Sequence, residues 1–253
     1  MIKRWIVAVM MSGGFTLAMA DDVEGHLGWL KRVELGTPLS GRISRVEVQP
    51  GDRVKAGGVL VALDERRYAA QLSAAKARVE AARQEKLEAD KELERTLDLF
   101  DRTVLSEHDR NLAEIAAAGA AAQWRHAQAA LVEAQSNLDD CRVIAPFDGV
   151  VIKVDAIPGA TTVNRLQLQS LVALADDSGL LVHGEVTPEQ AAGLTVGGEV
   201  EVAVNAIWHP GKVQHVGLEP VSSSTKVRYK LTVRIDGADQ LKPRTGGPAV
   251  IRF

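Results

Sequence analysis

The residues of this 253-residue chain that could do chemistry are few and dispersed. Its six histidines stand at positions 26, 108, 126, 183, 209 and 215. His209 and His215 are six apart, with His183 nearby in sequence, but no carboxylate or thiol cluster joins them into a zinc-type ligand set. Each reads as a surface or partly buried histidine, and no metal is expected. Cys141 is the only cysteine, so no intramolecular disulfide can form and stability must come from packing. The nucleophile elbow Gly-x-Ser-x-Gly, His-Glu-x-x-His, a Walker phosphate loop and Cys-x-x-Cys are all absent from the sequence. The chain therefore does not read as an enzyme. Charge is balanced, 30 basic against 33 acidic residues, and aromatics are 4%, so neither a basic field nor stacking platforms suggest nucleic acid as a partner.

The informative pattern is organisational. Gly41-Arg-Ile-Ser-Arg-Val-Glu-Val-Gln-Pro-Gly51 matches Gly149-Val-Val-Ile-Lys-Val-Asp-Ala-Ile-Pro-Gly159, 149 − 41 = 108 positions later. Val46 and Val154 coincide, as do Pro50 and Pro158. Each copy then ends in the same three residues, Val61-Ala62-Leu63 and Val172-Ala173-Leu174. Pro-Gly turns and alternating apolar residues make both copies β structure.

Between the copies, Glu65 to Ala145 contains no proline and is rich in alanine and charge. Asp64 is the expected N-cap of a first helix running to about Arg102, roughly 57 Å for about 38 residues. Leu72, Val79, Leu93 and Phe100 share a heptad position, with Lys86 the exception, and Ala75, Ala82 and Ala89 share its neighbour. Thr103-Val104-Leu105 breaks the pattern. Ser106, with Asp109 three residues on, opens a second helix. Leu112 and Ile115 are apolar near this end. Trp124, Leu131 and Leu138 then repeat every seven residues beside Ala127, Ala134 and Cys141. Two seamed helices joined by a tight turn form an antiparallel hairpin. After Asp177, short strands and one helix capped by Thr187, with Pro188 in its first turn, suggest a small β-barrel.

The N-terminus carries Lys3 and Arg4, an apolar run from Trp5 to Leu17 and Ala18-Met19-Ala20 ahead of Asp21. It reads as a cleaved secretory signal peptide, since the run falls well short of the roughly 20 apolar residues that span a bilayer. No cysteine follows the cleavage site, so no lipoprotein anchor is expected. Cleavage would change the net charge to −3 − 2 = −5 and remove all four methionines, which weakens any methionine-based copper site. The expected layout is a signal peptide over 1–20, a lead-in strand over 21–37 and a sandwich from 38–63 with 143–175. A helical hairpin over 64–142 and a β-barrel over 176–253 complete it. The fold class is α+β and multidomain.

These features together resemble the periplasmic adaptor, or membrane fusion, proteins of tripartite efflux pumps and haemolysin-D-like secretion systems. The two half-motifs resemble the family's split lipoyl-like barrel-sandwich hybrid domain. Leu171 to Val186 resembles its passage into the barrel, and Leu241-Lys242-Pro243 with Gly246 its closing turn. Lipoyl and biotinyl domains carry a modified lysine where this chain inserts its helical arm. Lys55 and Lys153 lie inside the half-motifs as solvated charges, and no cofactor is expected. The resemblance implies a periplasmic protein contacting an inner-membrane transporter and an outer-membrane channel, with a hexameric ring in the complex. It also implies that Arg95, Leu99 and Ser106, which have the family's tip spacing, dock onto the channel. Pump adaptors of the resistance-nodulation-division type continue into a membrane-proximal domain that residues 21–37 alone cannot build. The barrel and lipoyl-like faces, or a different transporter class, are therefore expected to serve. A type I protein-secretion adaptor and a periplasmic scaffold without a pump are the alternatives.

Overall fold

The computed structural model describes residues 22–163, 169–221, 226–236 and 245–253. The expected signal peptide and the turn at Leu241-Lys242-Pro243 lie outside these residues. The chain divides into two units, one of residues 31–176 and one of residues 22–30 with 177–253.

In the first unit the repeat seen in the sequence becomes a pseudo-twofold exchange of strands. β2 (Gly41–Val46), β3 (Arg53–Val54) and β4 (Val59–Leu63) form one half. β5 (Arg142–Ile144), β6 (Gly149–Val154), β7 (Thr161–Thr162) and the start of β8 (Val172–Val186) form the other. β3 of the first half pairs with β6, Arg53 opposite Val150, while β7 of the second pairs with β2, Thr161 opposite Arg42. The turns repeat the exchange. Gly51 N–H donates to the Val151 carbonyl at 2.8 Å, and Gly159 N–H donates to the Ile43 carbonyl at 2.8 Å. Both turn glycines have left-handed backbones, φ 99° and 88°, which a side chain would strain. Within the halves, Val46 faces Val61 and Val154 faces Val172 in the same register. Neither half closes its own sheet, so the two fold only together. Ile43, Leu60, Val61, Val151, Val172 and Leu174 interdigitate in one core, each apolar side chain contributing about 1.5–3 kcal/mol on burial.

Gly149 is required by that closure. A Cβ there would lie 2.9 Å from the Ala175 carbonyl carbon and closer still to its oxygen. Its counterpart Gly41 would meet only the Leu63 side chain, at 3.0 Å.

α1 (Arg66–Asp101) and α2 (Glu107–Asp139) are inserted between β4 and β5. Leu72 and Ala75 near the start of α1 pack on Ala134, Leu131 and Leu138 near the end of α2. At the other end, Arg110 of α2 lies over the Phe100 ring of α1. The helices are therefore antiparallel.

The second unit is a six-stranded antiparallel barrel. β1 (Asp22–Leu35), β12 (Pro248–Arg252), β9 (Glu199–Val204), β10 (Ile207–Pro220), β11 (Tyr229–Asp236) and the later part of β8 follow one another, and β1 also pairs with β8 to close the ring. The short α3 (Pro188–Gly193) is capped by Thr187, whose side chain accepts from Gln190 N–H. Leu180, Val182, Val202, Leu231, Val233 and Ile251 form the centre of its core. Here the structure departs from the expected layout. Residues 22–30 are a barrel strand, not a lead-in to the sandwich. Val23 and Leu27 are buried in the barrel core and Trp29 packs against it. Gly25 lets β1 lie flat, since a Cβ would meet the His183 carbonyl oxygen at 2.7 Å. Only the end of β1, with Val33 and Leu35, packs on the sandwich core.

Candidate functional site

The arm is anchored at its root by polar contacts between its two ends. Glu65, the residue before α1, accepts two bonds from the Arg142 guanidinium at 2.7 and 2.9 Å. That guanidinium lowers the Glu65 carboxyl below its ordinary range. Leu63 N–H donates to the Cys141 carbonyl at 2.8 Å, and Thr37 Oγ1 donates to the Asp140 carbonyl at 2.7 Å. The capping position belongs to Glu65 instead of the expected Asp64, and its side chain makes no cap bond. Asp64 accepts from Arg66 N–H at 3.2 Å, and the Arg66 side chain holds the Asp64 carboxyl down at about 2. Cys141 is fully buried at the root, its thiol pushed up to about 11, mainly by burial.

Along the arm, Leu72, Ala75 and Ala82 are buried, and Thr96 extends the alanine line inward. On α2, Ala117 and Ala134 are buried, with Trp124, Leu131 and Leu138 half-buried beside them. Small residues at every second seam position let the backbones approach, and the heptad spacing keeps the seam facing its partner. Leu112 and Ile115 point outward, 52% and 68% exposed, because they fall between the seam positions. Outward charges on α1 engage one another at helical spacing, as in Arg83–Glu80, Lys86–Asp90 and Arg102–Asp98.

The tip gathers the three docking candidates within the last two turns of α1 and the N-cap of α2. Arg95 is exposed, its Nη1 2.6 Å from Glu92 Oε2. Leu99 is half-buried. Ser106 caps α2. Its hydroxyl accepts from Asp109 N–H at 3.3 Å and donates to Asp109 Oδ2 at 2.6 Å, while Asp109 accepts from Ser106 N–H at 3.1 Å. These bonds lower the Asp109 carboxyl below its usual range. α1 ends in a Schellman closure. Thr103 N–H donates to the Phe100 carbonyl at 2.8 Å and Val104 N–H to the Leu99 carbonyl at 3.0 Å. That closure puts Thr103 in the left-handed region, φ 62°. The Arg110 guanidinium lies 5.1 Å from the Phe100 ring centroid and joins the two sides of the tip. Arg110 and the left-handed backbone of Thr103 escaped the sequence reading, which took Thr103 only as the start of the break between the helices. A charge at a heptad position looks like a break in the seam, and no residue type announces a left-handed threonine.

The other sites considered from sequence are not assembled. His183 sits beside His26, ring centroids 5.5 Å apart, with its Nδ1 3.3 Å from Thr232 Oγ1. Among the described residues no three His, Cys, Asp or Glu side chains are grouped to hold a metal. Lys55 is exposed in a turn, and Lys153 pairs with Asp155 at 2.8 Å. Among the described residues no helix is long and apolar enough to cross a membrane.

Comparison with known proteins gives one family match: the model of the CzcB-like barrel-sandwich hybrid domain covers residues 31–176. The macrolide export protein MacA of Yersinia pestis is 27% identical over 248 residues, covering 83% of this chain and 66% of the relative. MacA of Escherichia coli O157:H7 is 28% identical over 197 residues and is covered to 53%. The membrane fusion protein MtrC of Neisseria gonorrhoeae is 30% identical over 146 residues, which span 58% of this chain and 35% of MtrC. The chain thus spans between about half and two thirds of the length of the MacA relatives. Among solved structures, the membrane fusion protein Spr0693 of Streptococcus pneumoniae R6 has the same fold. Its TM-score is 0.71 at 21% identity, over 91% of this chain and 97% of Spr0693. A MacA–MexA chimera carrying the Pseudomonas aeruginosa MexA α-hairpin gives 0.70 at 21% identity, over 92% and 78%.

Proposed function

The chain belongs to the membrane fusion, or periplasmic adaptor, family through its CzcB-like barrel-sandwich hybrid domain, and we propose that it is the adaptor subunit of a tripartite efflux system. In this reading it resides in the periplasm and couples an inner-membrane transporter to an outer-membrane channel. The observation that carries it is the stapled rod. A sandwich that closes only when both halves meet carries two seamed helices, and it holds their tip about 50 Å from the root, at 1.5 Å for each of the 36 residues of α1. Such a part transmits position.

Arg95, Leu99 and Ser106 are the proposed channel contacts, Arg95 through its exposed guanidinium and Ser106 by fixing where α2 begins. The faces of the sandwich and barrel are the proposed contacts with the transporter and with neighbouring copies in a hexameric ring. The similarity to MacA, a macrolide export protein, favours efflux over protein secretion and over a scaffold. The test is affinity capture of the tagged chain from its own membranes, followed by mass spectrometry. Recovery of a transporter together with an outer-membrane channel is expected. Arg95→Asp should keep the transporter and lose the channel. Recovery of neither partner would leave the scaffold reading.

A further inference from the structure

The middle of the arm is built differently from its two ends. Leu72, Ala75 and Ala82 of α1 and Ala134 of α2 are buried toward the root, and Thr96 of α1 and Ala117 of α2 are buried toward the tip. Phe100 lies at the level of Arg110, and Ala75 at that of Ala134. Residues at one level therefore have numbers that sum to about 210, as in 100 + 110 = 210 and 75 + 134 = 209. On this register residues 83–92 of α1 face 118–127 of α2, and no residue of either stretch is buried.

Three features inside this stretch weaken it further. Lys86 occupies the seam position that Leu72, Val79, Leu93 and Phe100 hold elsewhere. Its side chain is 30% exposed, and its ammonium pairs with Asp90, an acid of its own helix. A polar residue in a seam costs stability, and its usual return is a fixed register. Here both ends already fix the register, the root through Glu65 and Arg142 and the tip through the Schellman closure and the Arg110–Phe100 stack. The cost of Lys86 is therefore not offset by specificity. At its level on α2, 86 + 124 = 210, Trp124 buries its indole Nε1 with no acceptor among the described residues. Gly119 stands between Ala116-Ala117-Ala118 and Ala120-Ala121-Ala122, where a Cβ would meet nothing within 4 Å. Alanine would fit, yet the position holds the poorest helix former after proline.

Few buried contacts, a buried donor without an acceptor and a weak helix former mark a segment of low local stability. We propose that residues 83–92 with 118–127 form a joint built into the arm, at which the half that carries the tip bends against the stapled root. A rod of this kind keeps its tip at a set distance and leaves its direction free, on the microsecond-to-millisecond scale of collective hinge motions. The joint stands on the packing of the two helices alone and goes beyond the adaptor function proposed above.

Hydrogen exchange of the full chain, followed by mass spectrometry, reads the local stability. Amides of 83–92 and 118–127 should exchange at least tenfold faster than those of 70–76 and 130–138. K86L combined with G119A should slow the middle at least tenfold and leave the root within twofold. Bending is read by electron paramagnetic resonance with spin labels at Q71C and L97C in a C141A background, 97 − 71 = 26 residues or about 39 Å apart along α1. The spread of distances should be broad and should narrow when K86L and G119A are added. Middle amides protected within twofold of the root, or a spread that K86L with G119A leaves unchanged, would overturn the joint and make the arm a uniform rod. Neither readout involves a transporter or a channel, so failure of the joint and failure of the adaptor reading are told apart.

Discussion

Replacing Gly149 by alanine tests whether the two halves share one closure. A Cβ at this position would meet the Ala175 carbonyl group, its carbon at 2.9 Å and its oxygen nearer. That carbonyl belongs to β8, paired with β6 at Val150–Ala175, so it cannot swing aside as a side chain could. The strands would have to part by about 1 Å, and overpacking of this kind costs about 3 kcal/mol. Gly41, the residue in the same place of the first half, meets only the flexible end of Leu63. There the clash is nearly offset by the 0.4–1 kcal/mol or so that alanine returns by restricting the unfolded chain. Unfolding entropy of about 2.1 cal/mol/K per residue over the 146 residues of 31–176 is roughly 0.3 kcal/mol/K, so Gly149→Ala should lower the melting temperature by about 10 °C. Gly41→Ala should stay within about 3 °C. Differential scanning calorimetry of both variants decides the matter. Equal melting temperatures for the two would refute the claim that closure, not composition, selects glycine at 149.

Further outcomes follow from the arm and the barrel. Ser106→Ala should cost about 1 kcal/mol of α2 stability, and Ser106→Asp, which can still cap, should restore most of it; hydrogen exchange of the first turn of α2 measures both. With its thiol at about 11 instead of 9.0, Cys141 should hold about a hundredfold less thiolate near neutral pH. Ellman's reagent should therefore label it at least a hundredfold more slowly than in urea, and rapid native labelling would contradict the buried root. His183 has its pKa lowered first by burial, then by Lys230 and His26. Glu24 and Glu185 line the same recess. The unfolded chain thus takes up this proton more readily than the folded one. Barrel stability should be full above the ordinary value of 6.5 and fall as pH drops through it. His183→Asn should flatten that decline between pH 7.5 and 5.5 in thermal melts, and an unchanged slope would exclude His183 as its source.

Much of the architecture was legible because it is written in repeats. The match of Gly41–Gly51 to Gly149–Gly159 carries over to the pairing, where Arg53–Val150 and Thr161–Arg42 are the same contact seen twice. The heptads likewise named the buried line of Leu72, Ala75, Ala82 and Ala134. Other features were hidden because their cause is not local. The strand at Val23 to Trp29 reads as a lead-in by chain order, but it closes the barrel through partners more than 150 residues away, at His183 and Ile251. Asp64 has the composition of a cap, yet Arg66 draws it away and the helix starts on Glu65. At the tip, spacing brought out Arg95, Leu99 and Ser106. The left-handed backbone of Thr103 follows from how α1 terminates, which no spacing reveals.

The account depends on the halves on either side of the rod forming a single sandwich, and a disulfide between them tests this most directly. Arg42 on β2 faces Thr161 on β7, one step from the Ile43 N–H bond to the Ala160 carbonyl. Such a cross-strand pair has Cα atoms about 4.5–5.5 Å apart, within disulfide reach. Arg42→Cys with Thr161→Cys, made in a Cys141→Ala background, should form an intramolecular bond under mild oxidation. That bond would close a loop of more than 100 residues and should raise stability by up to about 4–5 kcal/mol. Thiols that stay free, or that pair only between molecules, would mean that the halves do not meet.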